Sequence, residues 1–298
     1  MDKDAKRRIA TVGSFDGLHR GHQRVLSLLK ETARSRGWQP LVVCFDRHPL
    51  ETIAPERAPL MIQAPSERTN TLYRDGFSIL TVEFTPQLAS LTAHEWLARL
   101  HDEQDVDAIV VGYDNTFGSD GLSMNIADYR RIGREVGVEV IEAPYEPHAS
   151  SSAIRKLLKN GDIEEANNLL GRPFSLNGKV EEGKHLGETI GFPTANISTA
   201  QRQLLPKAGV YEVEVMQTDE PGSSPAWRKG VANIGRQPTV GAGEPVRVEV
   251  HIPGFTGDLY GKRLTIRFLK RLRDEKKFDS IEELKAQIKE DVKTIERR

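Results

Sequence analysis

Two stretches gather residue types suited to handling phosphate. In Gly13-Ser14-Phe15-Asp16-Gly17-Leu18-His19-Arg20-Gly21-His22, two histidines stand three apart where a helix is expected to open. That spacing puts both imidazoles on one face of the first turn, from which they can donate to a polyphosphate. Gly13, Gly17 and Gly21 permit tight turns and close backbone approach, and a helix N-terminus offers unpaired amides to an anion. A lone His-x-x-His is more often a pair of solvated histidines; the glycines and the strand-to-helix position shift the balance toward a cradle. Later, Ser150-Ser151-Ser152-Ala153-Ile154-Arg155 leads hydroxyls and backbone donors into a helix, and Arg155 adds a fixed fork of charge. A plain serine cap before a surface arginine would carry the same letters.

The second stretch lies beyond residue 170. Thr194 and Asn196 present a hydroxyl and an amide carbonyl two residues apart, oxygen ligands suited to a magnesium ion that stays partly hydrated and bridges nucleotide phosphates. By themselves they read as turn residues. Glu249, between Val248 and Val250, occupies the face opposite two apolar side chains, as either a solvated glutamate or a base turned toward a ligand. His251 shares its face. Gly178 to His185 falls short of a P-loop, because His185 cannot replace the magnesium-binding hydroxyl and the following residues are too rich in glycine for the required helix.

The elements that must position these residues follow two rhythms. From Arg8 to about Ala143, apolar runs at 9–14, 41–45, 79–84, 108–111 and 138–141 read as strands and alternate with helical patterns at 23–36, 91–100 and 126–136, the order a doubly wound, mostly parallel sheet requires. Gly37 is the expected cap of the first helix. A helix over 153–159, the breakers Asn160-Gly161-Asp162, and a second helix ending at Gly171-Arg172-Pro173 mark a boundary. We divide the chain into 1–168 and 169–298. In the second part the period changes to two: Tyr211, Val213 and Val215 alternate with glutamates, and Val246 to Ile252 alternates likewise. Strands there and at 174–180, 229–234 and 264–269 predict a small antiparallel barrel of five or six strands. A helix from Ser280 to about Ile295 closes the chain, with Ser280 and Glu283 in capping-box spacing.

Composition narrows the partners. The 298 residues carry 42 Lys and Arg against 43 Asp and Glu, a formal charge of -1. That leaves no basic excess for sequence-independent nucleic-acid binding. A single cysteine, Cys44, excludes an internal disulfide and thiolate metal clusters, which fits a reducing cytoplasm. The charged start lacks a signal-peptide core, and no run reaches the roughly 18 apolar residues of a membrane span. Small molecules are the expected partners; oligomeric state is not readable.

The motifs also match a family. The run from Gly13 to His22 resembles the His-x-Gly-His signature of the nucleotidyltransferases, in the longer form of the FMN adenylyltransferase module of prokaryotic bifunctional FAD synthetases. Phe45-Asp46-Arg47-His48-Pro49, Gly112-Tyr113-Asp114-Asn115-Thr116-Phe117-Gly118 and the serine run resemble its further motifs, with Arg47, Asn115, Ala149 and Ser152 departing from the usual residues. Gly191-Phe192-Pro193-Thr194-Ala195-Asn196, Gly230 to Thr239, Val248 to His251, Asp258 to Gly261 and Leu272 to Phe278 resemble segments of riboflavin kinases. The resemblance covers nearly the whole chain. It implies phosphorylation of riboflavin by ATP to FMN in the second part and adenylylation of FMN by ATP to FAD in the first, both with magnesium. It implies His19, His22 and Arg155 in adenylyl transfer, and nucleotide contacts from Gly13, Phe15, Asp16, Gly21, Asp46, Asp114, Ser150, Ser151 and Ser152. In the kinase it implies Glu249 as base, Thr194 and Asn196 as metal ligands, and Arg273 and Asn233 at the flavin. Glu188, beside the phosphate loop, would repel phosphates unless turned away, so an adenylyltransferase with a weak kinase barrel stays open, as does a non-enzymatic flavin sensor.

Overall fold

The structure, a computed structural model, describes residues 7–113, 116–183, 187, 190–218, 226–235 and 246–297. The chain divides into two compact units, Met1–Ser151 and Ser152–Arg298. The expected helix over 153–159 is Ser151–Asn160 and spans this division.

In the first unit, strands β1 (Arg8–Gly13), β2 (Gln39–Phe45), β3 (Ser78–Val82), β4 (Val106–Val111) and β5 (Glu139–Glu142) form one sheet in the order β3-β2-β1-β4-β5. Every pairing is parallel. The inner strands are apolar on both sides because both sides are covered. Val12, Val43 and Ile109 pack with Trp96, Leu97 and Ile132 of helices α3 (Ala93–Gln104) and α4 (Ile126–Val136). Ile9, Val42 and Val110 pack on the other face with Leu26 and Leu29 of α1 (Arg20–Arg36) and Leu72 of α2 (Pro65–Arg74). The sheet is therefore doubly wound. Its strand order reverses at β1, which leaves a crevice at the carboxyl ends of β1 and β4, where ligands of such sheets bind.

Helix α1 starts three residues earlier than the apolar pattern suggests because His19 is its N-cap, and Gly37 ends it in the left-handed conformation (φ 68°). Helix α2 is an element the sequence reading missed.

The second unit is a closed six-stranded barrel, ordered β10-β7-β6-β11-β8-β9. Its strands are β6 (Phe174–Glu181), β7 (Thr194–Thr199), β8 (Gly209–Gln217), β9 (Arg228–Gly235), β10 (Arg247–His251) and β11 (Arg263–Arg273). All pair antiparallel. Gly178 lies inside β6, where an added Cβ would meet the Ser198 carbonyl oxygen at 2.3 Å, so this segment is strand wall and no phosphate loop. The pair Thr194 and Asn196 corrects the turn reading: both belong to β7, whose alternate residues Ala195 and Ile197 are buried. A helix at Ile163–Leu170 is tied to this unit, since Asn167 donates to the Phe268 carbonyl and accepts from the Phe174 amide. The C-terminal helix, Ile281–Glu296, is capped by Ser280, whose hydroxyl accepts from the Glu283 amide. Glu283 reaches the amide of Asp279 rather than that of Ser280, so the capping box is half formed.

Candidate active sites

The loop from Gly13 to His22 runs from β1 into α1 at the switch point of the sheet. Phe15 (φ 47°), Gly17 (φ 83°) and Leu18 (φ 45°) all take positive φ, so the backbone turns tightly before the helix begins. An added Cβ on Gly17 would press on Ile62 at 3.0 Å, and one on Gly21 would lie 3.0 Å from the Ala149 carbonyl oxygen. The positive φ favours glycine at position 17, and at position 21 a larger residue would have to displace its neighbours by a few tenths of an ångström. Asp16 is fully buried, and its carboxylate accepts from the amides of Ile62 (3.0 Å) and Gln63 (3.1 Å). The hydroxyl of Ser151 donates to the Asp16 carbonyl at 3.0 Å. Asp16 and Ser151 thus brace the loop from within.

The two histidines come together as the spacing predicts. Their rings stack with centroids 3.7 Å apart, and the His19 Nδ1 accepts from the His22 amide. That acceptor role leaves the Nε2 of His19 as the donor of a neutral ring. Phe15, itself buried, sets its ring edge-on to His22 at 5.2 Å. His22 is held well below the usual histidine range by burial first, then by the neighbouring His19 and by the positive charge of Arg68. Among the described residues its Nδ1 is buried without a hydrogen-bond partner. Such an atom is costly unless a ligand oxygen or water reaches it.

Arg68 is the residue that sequence reasoning missed here. It is fully buried and donates to the carbonyl oxygens of Ser14 (2.6 Å) and Phe45, at the carboxyl ends of β1 and β2. A guanidinium fixed there adds permanent positive charge beneath the cradle. The only sequence signal was a basic residue one turn into a helix opened by Pro65.

The remaining first-unit candidates are more dispersed. Asp46 follows β2; burial pushes its carboxyl up, but bonds from Arg47 (3.0 Å) and the Phe84 amide (3.1 Å) outweigh this and hold it below its usual range. Ser150 is half-buried and its amide donates to the His148 carbonyl. Ser152 is exposed, and Arg155 is buried on the second unit's side of the division. Phe117 is a core residue that packs on Tyr129. Asp114 and Asn115 lie outside the described residues, as do His185, Glu188 and 236–239.

In the second unit the strand register gathers four of the predicted residues. Glu249 of β10 lies opposite Asn196 of β7 and Asn233 of β9, and His251 lies opposite Thr194. Neighbours in register point to one side of a sheet. Val248 and Val250 fill the barrel, so this polar row faces outward. It opens onto a cavity of about 330 Å³, within the ordinary range for a small-molecule site. Glycines 183 and 187, Arg273, Phe278 and the C-terminal helix complete the wall. An added Cβ on Gly183 would collide with the Asn196 amide at 2.0 Å, so the backbone passes directly over that side chain. His251 is fixed by a 2.8 Å bond between its Nδ1 and the Pro193 carbonyl.

Arg273 lines the cavity, and it is already engaged. Its Nε and Nη2 fork onto Asp291 of the C-terminal helix at 3.0 and 2.8 Å, and Gln287 donates to the same carboxylate. Asn233 donates to Glu275 at 3.4 Å. Asp291 was not foreseen, since one acid among many on an amphipathic helix carries no distinguishing pattern.

Comparison with known proteins places both units. The FAD synthetase family matches residues 1–154 and the riboflavin kinase family residues 170–298. The chain is 37% identical over 289 residues to the bifunctional riboflavin kinase/FMN adenylyltransferase of Escherichia coli (strain K12), covering 95% of this chain and 90% of that protein. It is 38% identical to the enzyme of that description from Pseudomonas fluorescens, with the same coverage. A crystal structure described as a macrolide-efflux protein from Streptococcus pneumoniae superposes with a TM-score of 0.85 at 33% identity, over 98% of this chain and 95% of that one. No helix among the described residues is long and apolar enough to cross a membrane.

Proposed function

The chain belongs to the family of bifunctional riboflavin kinase/FMN adenylyltransferases, and on that footing we propose how its residues divide the work. It is a transferase that makes FMN from riboflavin and ATP, and FAD from FMN and ATP. What supports the assignment of roles is that each unit brings its own predicted residues together: the stacked His19 and His22 in one, and the row Asn196, Glu249 and Asn233 in the other. Neither the sensor nor the impaired-kinase alternative is favoured by a match to both families.

In the kinase unit, the Glu249 carboxylate takes the proton from the riboflavin 5′-hydroxyl as that oxygen attacks the γ-phosphorus of ATP. The bond from the γ-phosphorus to the β-bridging oxygen breaks and ADP leaves. The hydroxyl of Thr194 and the amide oxygen of Asn196 are hard donors on one strand face, as a partly hydrated magnesium ion requires. Bound there, magnesium would neutralise phosphate charge. Arg273 and Asn233 border the flavin.

In the adenylyltransferase unit, an FMN phosphate oxygen attacks the α-phosphorus of ATP, and pyrophosphate departs. No protein nucleophile is needed, so positioning and charge supply the acceleration. The cradle amides, His19 and His22 hold the departing phosphates, with Arg68 below and Ser150 and Ser151 as further donors. The test is chromatography of flavins from purified protein, riboflavin, ATP and magnesium. FMN followed by FAD is expected; FAD formed only from supplied FMN would refute the kinase role, and no product would refute both.

A further inference from the structure

We propose that Gly183 is a positioning residue of the kinase reaction: its bare α-carbon fixes the amide of Asn196, so that the amide oxygen is set for the metal. The inference deepens the kinase reading and rests on it. Strand β6 pairs with β7 as far as Glu181, which lies opposite Asn196. Two residues later the backbone rests on the Asn196 side chain. A Cβ added to Gly183 would overlap the amide nitrogen and would lie 2.8 Å from the amide carbon and 3.3 Å from the oxygen. The nitrogen therefore faces Gly183, and the oxygen is the polar atom farther from it. Among the described residues no hydrogen bond holds this amide, so packing takes that role. The last torsion of an asparagine is broad and cheap to turn, whereas magnesium demands near-ideal octahedral geometry from its oxygens. A ligand on so loose a torsion needs an outside stop, and the glycine backbone supplies it.

Thr194, the other oxygen donor, is held in a different way. A Cβ on Gly187 would overlap the Phe192 carbonyl oxygen and approach the Thr194 hydroxyl to 3.2 Å. The Phe192 amide donates to the Gly187 carbonyl at 2.8 Å, and His251 Nδ1 bonds the Pro193 carbonyl at 2.8 Å. The residues leading into Thr194 are thus fixed through their backbone, and a side chain at position 187 would strain the chain itself. At position 183 the obstructing atoms are the far end of one short side chain, which can swing aside. Gly183→Ala should therefore cost little stability while misdirecting the Asn196 oxygen. That combination separates a positioning role from a structural one.

The test uses the full chain with Gly183→Ala, Asn196→Ala and the double substitution. FMN formation at saturating riboflavin and ATP gives kcat/KM for magnesium, and FAD formation from supplied FMN and denaturant melts of the same preparations are the controls. Electron paramagnetic resonance titration of manganese(II) with a non-hydrolysable ATP analogue reads metal binding without turnover, the kinase-unit site being the one that Asn196→Ala weakens. Gly183→Ala is expected to lower kcat/KM for magnesium and raise the manganese Kd at that site by about 10–100-fold, the usual effect of losing a group that orients a metal ligand. FAD formation and the unfolding midpoint should stay as they are. On the Asn196→Ala chain the same glycine substitution should add less than about twofold, because the amide it displaces is gone. Metal constants of Gly183→Ala within about twofold of the unsubstituted chain, or an equal penalty with and without the Asn196 amide, would overturn the proposal, as would a lowered unfolding midpoint. If the unsubstituted chain makes no FMN, the kinase reading fails, and the manganese titration still decides the role of Gly183.

Discussion

His22 couples the adenylyl site to pH. Its folded pKa lies below the unfolded value of roughly 6.5, so in the interval between the two the unfolded chain binds more protons. Stability of the first unit should therefore fall as pH drops from about 6.5 through the folded pKa, and His22→Gln should flatten that slope in denaturant melts taken at successive pH values. Above that interval the ring is neutral and acts as a hydrogen-bond donor rather than a charge. Because Arg68 is one cause of the low basicity, Arg68→Met should raise the His22 pKa in an NMR titration, and an unchanged pKa would remove Arg68 from the account. The same substitution leaves the Ser14 and Phe45 carbonyls unpaired. A loss of about 2–4 kcal/mol in the first unit's unfolding is expected from the cost of unsatisfied buried groups.

At the scale of elements, the kinase constellation is a product of strand register. Because side chains alternate with period two, the pairing of β10 with β7 and β9 is what sets Glu249 beside Asn196 and Asn233. Glu249→Gln keeps the shape and removes the base, so FMN formation should fall by roughly 10²–10⁴ while FAD is still made from supplied FMN. The Arg273–Asp291 pair joins the end of β11 to the C-terminal helix. Asp291→Ala strands a partly buried cation, with an expected cost on the order of 3 kcal/mol to the barrel and a higher KM for riboflavin, both measurable on the full chain. Elements of this kind also mark how far letters alone carry. The five parallel strands and most barrel strands were readable because their apolar runs are long. Strand β7 was not, because Ala195 and Ile197 are its only inward apolar residues among polar ones. Helix α2 escaped because it buries an arginine where an amphipathic pattern calls for an apolar side chain. The cradle was legible from glycines and histidines that sit together in sequence; Arg68 and Asp291 were not, since what makes them matter is contact across the fold.

For the whole molecule, two constellations in two compact units predict independent losses. His22→Ala should lower FAD formation by roughly 10²–10³, the effect of deleting one preorganised donor, and leave the riboflavin kinase rate intact. Combined with Glu249→Gln, both reactions should fail by the amounts of the single substitutions. A titration with magnesium and a non-hydrolysable ATP analogue should saturate at two nucleotides per chain; saturation at one would mean the units share a nucleotide.

Strand β11 pairs with β6 on one side and β8 on the other, so the barrel closes through its last strand. During synthesis, every strand of the parallel sheet has left the ribosome by Glu142, whereas the barrel stays an open sheet until Arg273 emerges and its cavity lacks a wall until Asp291 follows. A nascent chain would thus acquire the means to attach AMP well before the means to phosphorylate a vitamin, and a premature stop near the end would abolish the pathway's first step while sparing its second.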